Sequence, residues 1–184
     1  MNAPVSSFTP GTLVETSAAS VSAAMPCTRL SLRARGDLAP FEAALGLSLG
    51  GHIGSRSSSD ALEAMRLGPD EWILHSRSGD VADVVAAMAS LYDSHPHSLV
   101  DVSGREVTLV IKGERAAELL TLGCPRDIDT IPPGAGRRTA FDGVTVVLWR
   151  DGETSFRMDV WNTFAPHVYD LLAIGSRELA AESH

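Results

Sequence analysis

The sequence predicts an α+β fold with mostly antiparallel sheet, made of two similar strand-helix-hairpin-helix halves packed into one domain. Three observations carry this. Short runs alternate apolar and polar residues with period two, the mark of half-buried strands. Others repeat apolar residues every three or four positions, the mark of amphipathic helices. The same order of runs then recurs: Val107 follows Leu30 by 77 positions, while Phe156 follows Trp72, and Ala165 follows Val81, by 84. A unit with one apolar face cannot bury that face alone, so two such units in one domain is the economical arrangement.

Residues 1–26 carry Glu15 as their only charge and show neither period, so they read as an N-terminal arm, either a free tail or a segment that orders along a partner through Phe8, Leu13, Val14 and Met25. The domain proper spans residues 27–176, with 177–184 a C-terminal tail. From Cys27, Leu30, Leu32 and Ala34 alternate with Ser31, Arg33 and Arg35 as a strand that Gly36 ends. Asp37 offers a capping acceptor to a helix with Leu38, Phe41 and Leu45 on one stripe. A Gly/Ser-rich connector, Leu47 to Ser59, leads to two apolar runs, Ala61 to Leu67 and Glu71 to Leu74, which the Gly68-Pro69-Asp70 turn folds into a hairpin. Ser78 or Asp80 caps the next helix, whose stripe is Val81, Val84, Val85, Met88, Leu91 and Tyr92.

In the second half Val107, Leu109 and Ile111 form a strand, and Ala116, Leu119 and Leu120 a helix stopped by Gly123 and Pro125. A loop from Arg126 to Arg137 follows. Val144, Val146 and Leu148 then pair across the Asp151-Gly152 turn with Phe156, Met158 and Val160. Asn162 or Thr163 caps a last helix carrying Phe164, Val168, Leu171 and Leu172, with Pro166 tolerated in its first turn.

With 184 residues, 44% of them hydrophobic, the chain is long enough to bury a core. Fifteen basic against 23 acidic residues give a net charge of −8, which repels phosphate backbones and acidic surfaces and excludes a nucleic-acid partner. No apolar run is long enough for a membrane helix. Two cysteines are too few for a disulfide framework or a thiolate cage, and the first 26 residues lack the basic start and apolar centre of a secretory signal, so the expected compartment is the cytoplasm.

Motifs of reactive chemistry are weak. Gly50-Gly51-His52-Ile53-Gly54 looks like a phosphate loop but follows a helix instead of a strand, so it reads as a connector. His95 and His97, with Asp93 and Asp101, offer two or more metal donors, yet a polar loop explains them equally well. Cys124 lies just past a helix end, where the dipole opposes a thiolate, and reads as structural. Asp101 and Ser103 have no histidine at recognisable spacing. Lys112 is the only lysine. Gly134-Ala135-Gly136 followed by Arg137 and Arg138 suits anion or partner contact, or simply a turn into a strand from Arg138 to Phe141. Trp72, Trp149 and Trp161 lie in or beside strands and suit core or interface packing. The expectation is no catalytic, cofactor-binding or metal residue, with Arg126, Arg137, Arg138, Trp161 and the arm as partner-contact candidates.

An ordered set of motifs carries a family resemblance: Leu67-Gly68-Pro69-Asp70-Glu71-Trp72; Val100-Asp101-Val102-Ser103; Lys112-Gly113 with the helix Glu114 to Leu122; Gly123-Cys124-Pro125-Arg126-Asp127; Gly136-Arg137-Arg138-Thr139; Val147-Leu148-Trp149-Arg150; and Phe156 through Thr163-Phe164-Ala165. Over roughly residues 27–174 this resembles the gamma subunit of heterotetrameric sarcosine oxidase, with Thr163 standing where the family pattern has serine. The resemblance implies a fold similar to the folate-binding domain of the glycine-cleavage T protein. It also implies a non-catalytic subunit in a complex with alpha, beta and delta subunits, the main contact being with alpha. Such a complex oxidises sarcosine or a related N-methyl amino acid to glycine and hydrogen peroxide and passes the methyl carbon to tetrahydrofolate. FAD, FMN, NAD and tetrahydrofolate would then sit in other subunits and none in this chain. The competing expectations are a stand-alone folate-binding protein of the aminomethyltransferase or iron-sulfur assembly type, and a small metalloprotein using His95 and His97.

Overall fold

The computed structural model describes residues 8–76 and 79–182. The chain divides into two compact units: Cys27–Ser103, and the residues up to Pro26 together with those from Gly104 on. Each is an antiparallel sheet whose apolar face is covered by helices.

In the Cys27–Ser103 unit the strands are β3 (Arg29–Arg33), β4 (Arg56–Ser58), β5 (Leu62–Gly68), β6 (Glu71–Ser76) and β7 (Ser98–Asp101), in sheet order β4-β5-β6-β3-β7. Helices α1 (Ala39–Leu45) and α2 (Ala82–Ser90) cover Leu30, Leu32, Leu62, Ala64, Trp72 and Leu74 with Phe41, Leu45 and Met88. The Leu67 to Trp72 motif is a folding device. Pro69 and Asp70 turn the hairpin, Asp70 accepts from Arg35 at 2.7 Å and Arg33 at 3.3 Å, and the buried Trp72 donates its indole N-H to the Leu49 carbonyl at 3.0 Å.

The other unit repeats this order with β8 (Glu106–Lys112), α3 (Ala116–Thr121), a 3-10 turn (Ile128–Thr130), β9 (Gly136–Phe141), β10 (Val144–Arg150), β11 (Ser155–Trp161) and α4 (Ala165–Ala181). Its sheet reads β1-β2-β8-β11-β10-β9, with β1 (Gly11–Glu15) and β2 (Ser20–Ala23) supplied by the start of the chain. Apart from β1, the two sheets therefore correspond strand for strand, β2 standing beside β8 as β7 stands beside β3. No helix among the described residues is long and apolar enough to cross a membrane.

The arm expectation needs correction: residues 11–23 are sheet. Each strand is too short, and too rich in Ala and Ser, to show a period, yet Val14, Val21 and Ala23 are buried in the core of the Gly104 unit. Helix α4 grips this segment. Ser176, fully buried, donates to the Ala19 carbonyl at 3.1 Å and bonds the Thr16 hydroxyl at 2.8 Å, while Tyr169 donates to the Leu13 carbonyl at 3.2 Å and packs edge-on against Phe8. Residues 1–7 of the expected arm lie outside the described residues.

Four smaller expectations also change. The Leu47 to Ser59 connector contains β4, and β7 lies in what read as a polar loop. Both are three or four residues long and polar on one side, too short for a periodic signal. The expected tail from residue 177 continues α4 to Ala181, because Leu179 is buried and Arg115 donates to its carbonyl. Asn162 and Thr163 do not cap α4; Asn162 instead donates to the Gly104 carbonyl at 2.9 Å. Asp80 accepts from the Ala82 N-H at 3.0 Å, and Ser78 lies outside the described residues.

Gly113 makes the seating of the N-terminal strands possible. Its φ is +138°, and a Cβ there would lie 2.6 Å from the Ala18 carbonyl oxygen. Gly113→Ala should cost about 2 kcal/mol and expose the turn between β1 and β2 to protease, with the first cleavage between Thr16 and Ala19, as limited proteolysis with mass spectrometry would show.

Candidate functional site

The sheet faces turned away from α3 and α4 carry the polar residues of the second unit. Asp159, only 1% exposed, accepts from the Thr108 hydroxyl and from the Trp149 indole N-H at 2.6 Å. A buried carboxylate is tolerable only with donors of this kind. Arg157 lies over the Trp149 ring at 4.8 Å and grips Asp151 with two bonds of 2.6 and 2.9 Å. On the opposite face the buried Arg150 donates to the Ile128 carbonyl at 3.2 Å and the Ile131 carbonyl at 3.0 Å, and so fixes the loop after α3. Asp127 caps the turn in that loop by accepting from the Asp129 N-H at 3.0 Å. These groups answer one another, and each motif residue involved has a folding task.

The partner-contact candidates separate on the structure. Arg138 pairs with Val147, and Val147 with Asp159, so Arg138 shares a face with Asp159 and, two residues on, with Trp161. Arg137 pairs with Leu148 on the opposite face, half-buried, with its Nε buried and without a hydrogen-bond partner among the described residues. Arg126 is exposed on the loop held by Arg150. Trp161 and Phe164 are each 46% exposed, and the Arg105 guanidinium lies 5.6 Å from the Trp161 ring centre. Arg105 was not legible as a partner of Trp161, since its proximity depends on the β8 to β11 register, which puts Trp161 opposite Glu106, whereas Phe164 is brought near by the local turn in which its N-H donates to the Trp161 carbonyl at 2.9 Å.

The remaining sequence candidates have local partners. His52 and Ser55 bond each other at 3.1 Å, and the loop they occupy is strapped to Arg66, whose backbone carbonyl accepts from Gly54 at 2.8 Å. His97 donates to the His95 carbonyl at 2.8 Å, and both rings pack edge-on against Phe41. Asp101 accepts from Ser103, whose hydroxyl accepts from the Arg29 N-H at 2.9 Å and so closes β7 onto β3. Cys124 is buried with its Sγ 3.8 Å from the Thr139 hydroxyl. Among the described residues no three His, Cys, Asp or Glu side chains are placed to share a metal.

Two outcomes are expected. Asp159→Ala strands two buried donors and should destabilise the protein by about 2–5 kcal/mol in chemical denaturation, whereas Asp159→Asn, which keeps an acceptor, should cost less. The hydrogen bond from Arg35 to Asp70, with the Arg35 and Arg33 charges, holds the Asp70 carboxyl below the ordinary carboxylate value. A group lowered on folding stabilises the fold above its ordinary pKa and loses that contribution as pH falls through the lowered value. Carboxyl NMR should therefore show Asp70 titrating below its ordinary value, and Arg35→Ala should move it back up.

No family model matches the chain. It is 28% identical over 146 residues to sarcosine oxidase subunit gamma of Corynebacterium sp. (strain U-96), covering 78% of this chain and 70% of the relative. To the same subunit of Corynebacterium sp. (strain P-1) it is 27% identical over 161 residues, 84% of this chain and 78% of the relative. To an aminomethyltransferase of Saccharopolyspora erythraea it is 29% identical over 122 residues, 65% of this chain but 33% of the relative. In structure it matches a chain of the heterotetrameric sarcosine oxidase from Corynebacterium sp. U-96 in complex with pyrrole 2-carboxylate, with a TM-score of 0.81 and 24% identity, covering 92% of this chain and 89% of that one. It also matches the glycine cleavage system aminomethyltransferase T from Bartonella henselae, with a TM-score of 0.65 and 16% identity, over 85% of this chain and 46% of that one. The chain is a homologue of the sarcosine oxidase gamma subunits and has the fold that they share with the aminomethyltransferases.

Proposed function

We propose that this chain is the gamma subunit of a heterotetrameric sarcosine oxidase, in which it supports assembly and leaves the chemistry to its partners. The observation that carries this reading is the near-complete mutual coverage with a chain of that heterotetramer, 92% and 89% at a TM-score of 0.81. The motifs shared with the family support it: Asp70, Trp72, Asp127, Trp149 and Arg150 each hold a turn, a loop or a strand.

In this reading FAD, FMN, NAD and tetrahydrofolate are held by the other subunits, the assembly is cytoplasmic, and the alpha subunit is the main neighbour. Trp161 and Phe164 with Arg105, and Arg138 on the same sheet face, form one contact patch, since aromatic rings and guanidinium groups are the side chains that yield most on desolvation at an interface. Arg126 and Arg137 are separate contact candidates. The competing reading, a stand-alone folate-binding protein, draws on the aminomethyltransferase likeness, but this chain spans only 33% of that relative's length.

Co-expression with alpha, beta and delta subunits should give one co-eluting four-subunit species in size-exclusion chromatography. A chain that stays monodisperse and alone in their presence contradicts the subunit reading, and micromolar binding of tetrahydrofolate by the isolated chain would favour the competing one.

A further inference from the structure

The correspondence between the two sheets leaves one position unfilled. In the Gly104 unit the edge strand β2 is itself covered by β1, whereas in the Cys27–Ser103 unit the equivalent strand β7 ends the sheet and pairs with no further strand among the described residues. Val102 donates to the Arg29 carbonyl, so by antiparallel alternation the backbone groups of Leu99 and Asp101 point away from β3.

The helix beside that edge shows the same gap. At the 84-residue offset Val85 of α2 and Tyr92, in the turn just past its end, correspond to Tyr169 and Ser176 of α4, the two residues that grip β1 and the turn after it. Ser176 is fully buried by that segment, while Val85 is 43% and Tyr92 58% exposed. The two residues wall an open groove with Met88, Ala89, His97, Ser98 and Leu99, in which aliphatic and aromatic side chains predominate.

We infer that this groove, together with the β7 edge, is a docking site for an extended apolar segment of a partner subunit, flanked by Lys or Arg, which adds a strand where the other unit has β1. Strand addition uses the backbone groups of Leu99 and Asp101, and the groove takes the alternate side chains. Pro96, which has no N-H, limits the added pairing to the Ser98–Asp101 stretch. The basic flanks follow from charge: between Gly79 and Ser103 the chain carries Asp80, Asp83, Asp93 and Asp101, all exposed, and no Lys or Arg.

This inference rests on the subunit reading, and the test separates the two. The full chain is co-expressed with the alpha, beta and delta subunits as wild type, as Val85→Asp/Tyr92→Asp, and as Asp83→Lys/Asp93→Lys. Amide exchange is compared between the free chain and the complex. The expected result is a wild-type complex that protects the Leu99 and Asp101 amides, with both double variants folded, by circular dichroism, but bound at least tenfold more weakly. A wild-type complex with unchanged exchange at these amides, or with full-strength binding by Val85→Asp/Tyr92→Asp, overturns the docking site and leaves the subunit reading standing. No wild-type complex overturns both. A concentration-dependent dimer of the free chain that protects the same amides also overturns the docking site, since it assigns the edge to a second copy.

Discussion

An edge strand must have its outward backbone groups satisfied, and in the Gly104 unit this is done by a segment far away in sequence: Ser22 pairs with Val110 and Ser20 with Lys112. The pattern is reciprocal. β2 lies just before β3 in the chain but pairs with β8, and β7 lies just before β8 but pairs with β3. Much in the second unit follows from this exchange. Gly113 has no side chain because the Ala18 backbone occupies that space, Ser176 is buried because it holds the Ala19 carbonyl, and Arg115 donates its backbone N-H to the Ala18 carbonyl while its side chain clamps the end of α4.

The charged residues obey a related constraint. Arg115 is held charged by bonds to Glu118 and Glu182, and the Glu118 carboxyl is lowered mainly by its bond to Arg115. Arg150 and Asp159 are buried with several partners each. Groups used up in this way hold the chain together, which fits the role proposed for it as a subunit that others dock upon. The surface features left over, Trp161 with Phe164 and Arg105 on one unit and the α2–β7 groove on the other, are of the kind that partners cover.

Much of the fold was legible because the central strands and helices are long enough to repeat. Leu30 and Leu32, Val107 with Leu109 and Ile111, and Phe156 with Met158 and Val160 are buried as their alternation implies. The 84-residue offset aligns β6 with β11 and α2 with α4. What escaped were the edges. β1, β2, β4 and β7 run for three to five residues, and their pairing is decided by partners distant in sequence. The patch around Trp161 was half legible for the same reason: an exposed tryptophan can be suspected from sequence, but its neighbour Arg105 is set by register. The end of α4 was missed because the apolar stripe read from the sequence runs only to Leu172; beyond it Leu179 is buried, and Gly175 is the place where Leu119 and Leu122 of the neighbouring α3 segment press against the helix.

The most direct measurement concerns the exchanged strand. In a chain lacking residues 1–24, amide exchange at Val110 and Lys112 and along the second half of α4 should quicken by orders of magnitude, the Leu30 and Leu74 amides should keep their protection, and a peptide of residues 8–26 added in excess should restore the slow exchange. Equal protection of Val110 and Lys112 with and without the first 24 residues would contradict the claim that the start of the chain is a structural strand of its far end.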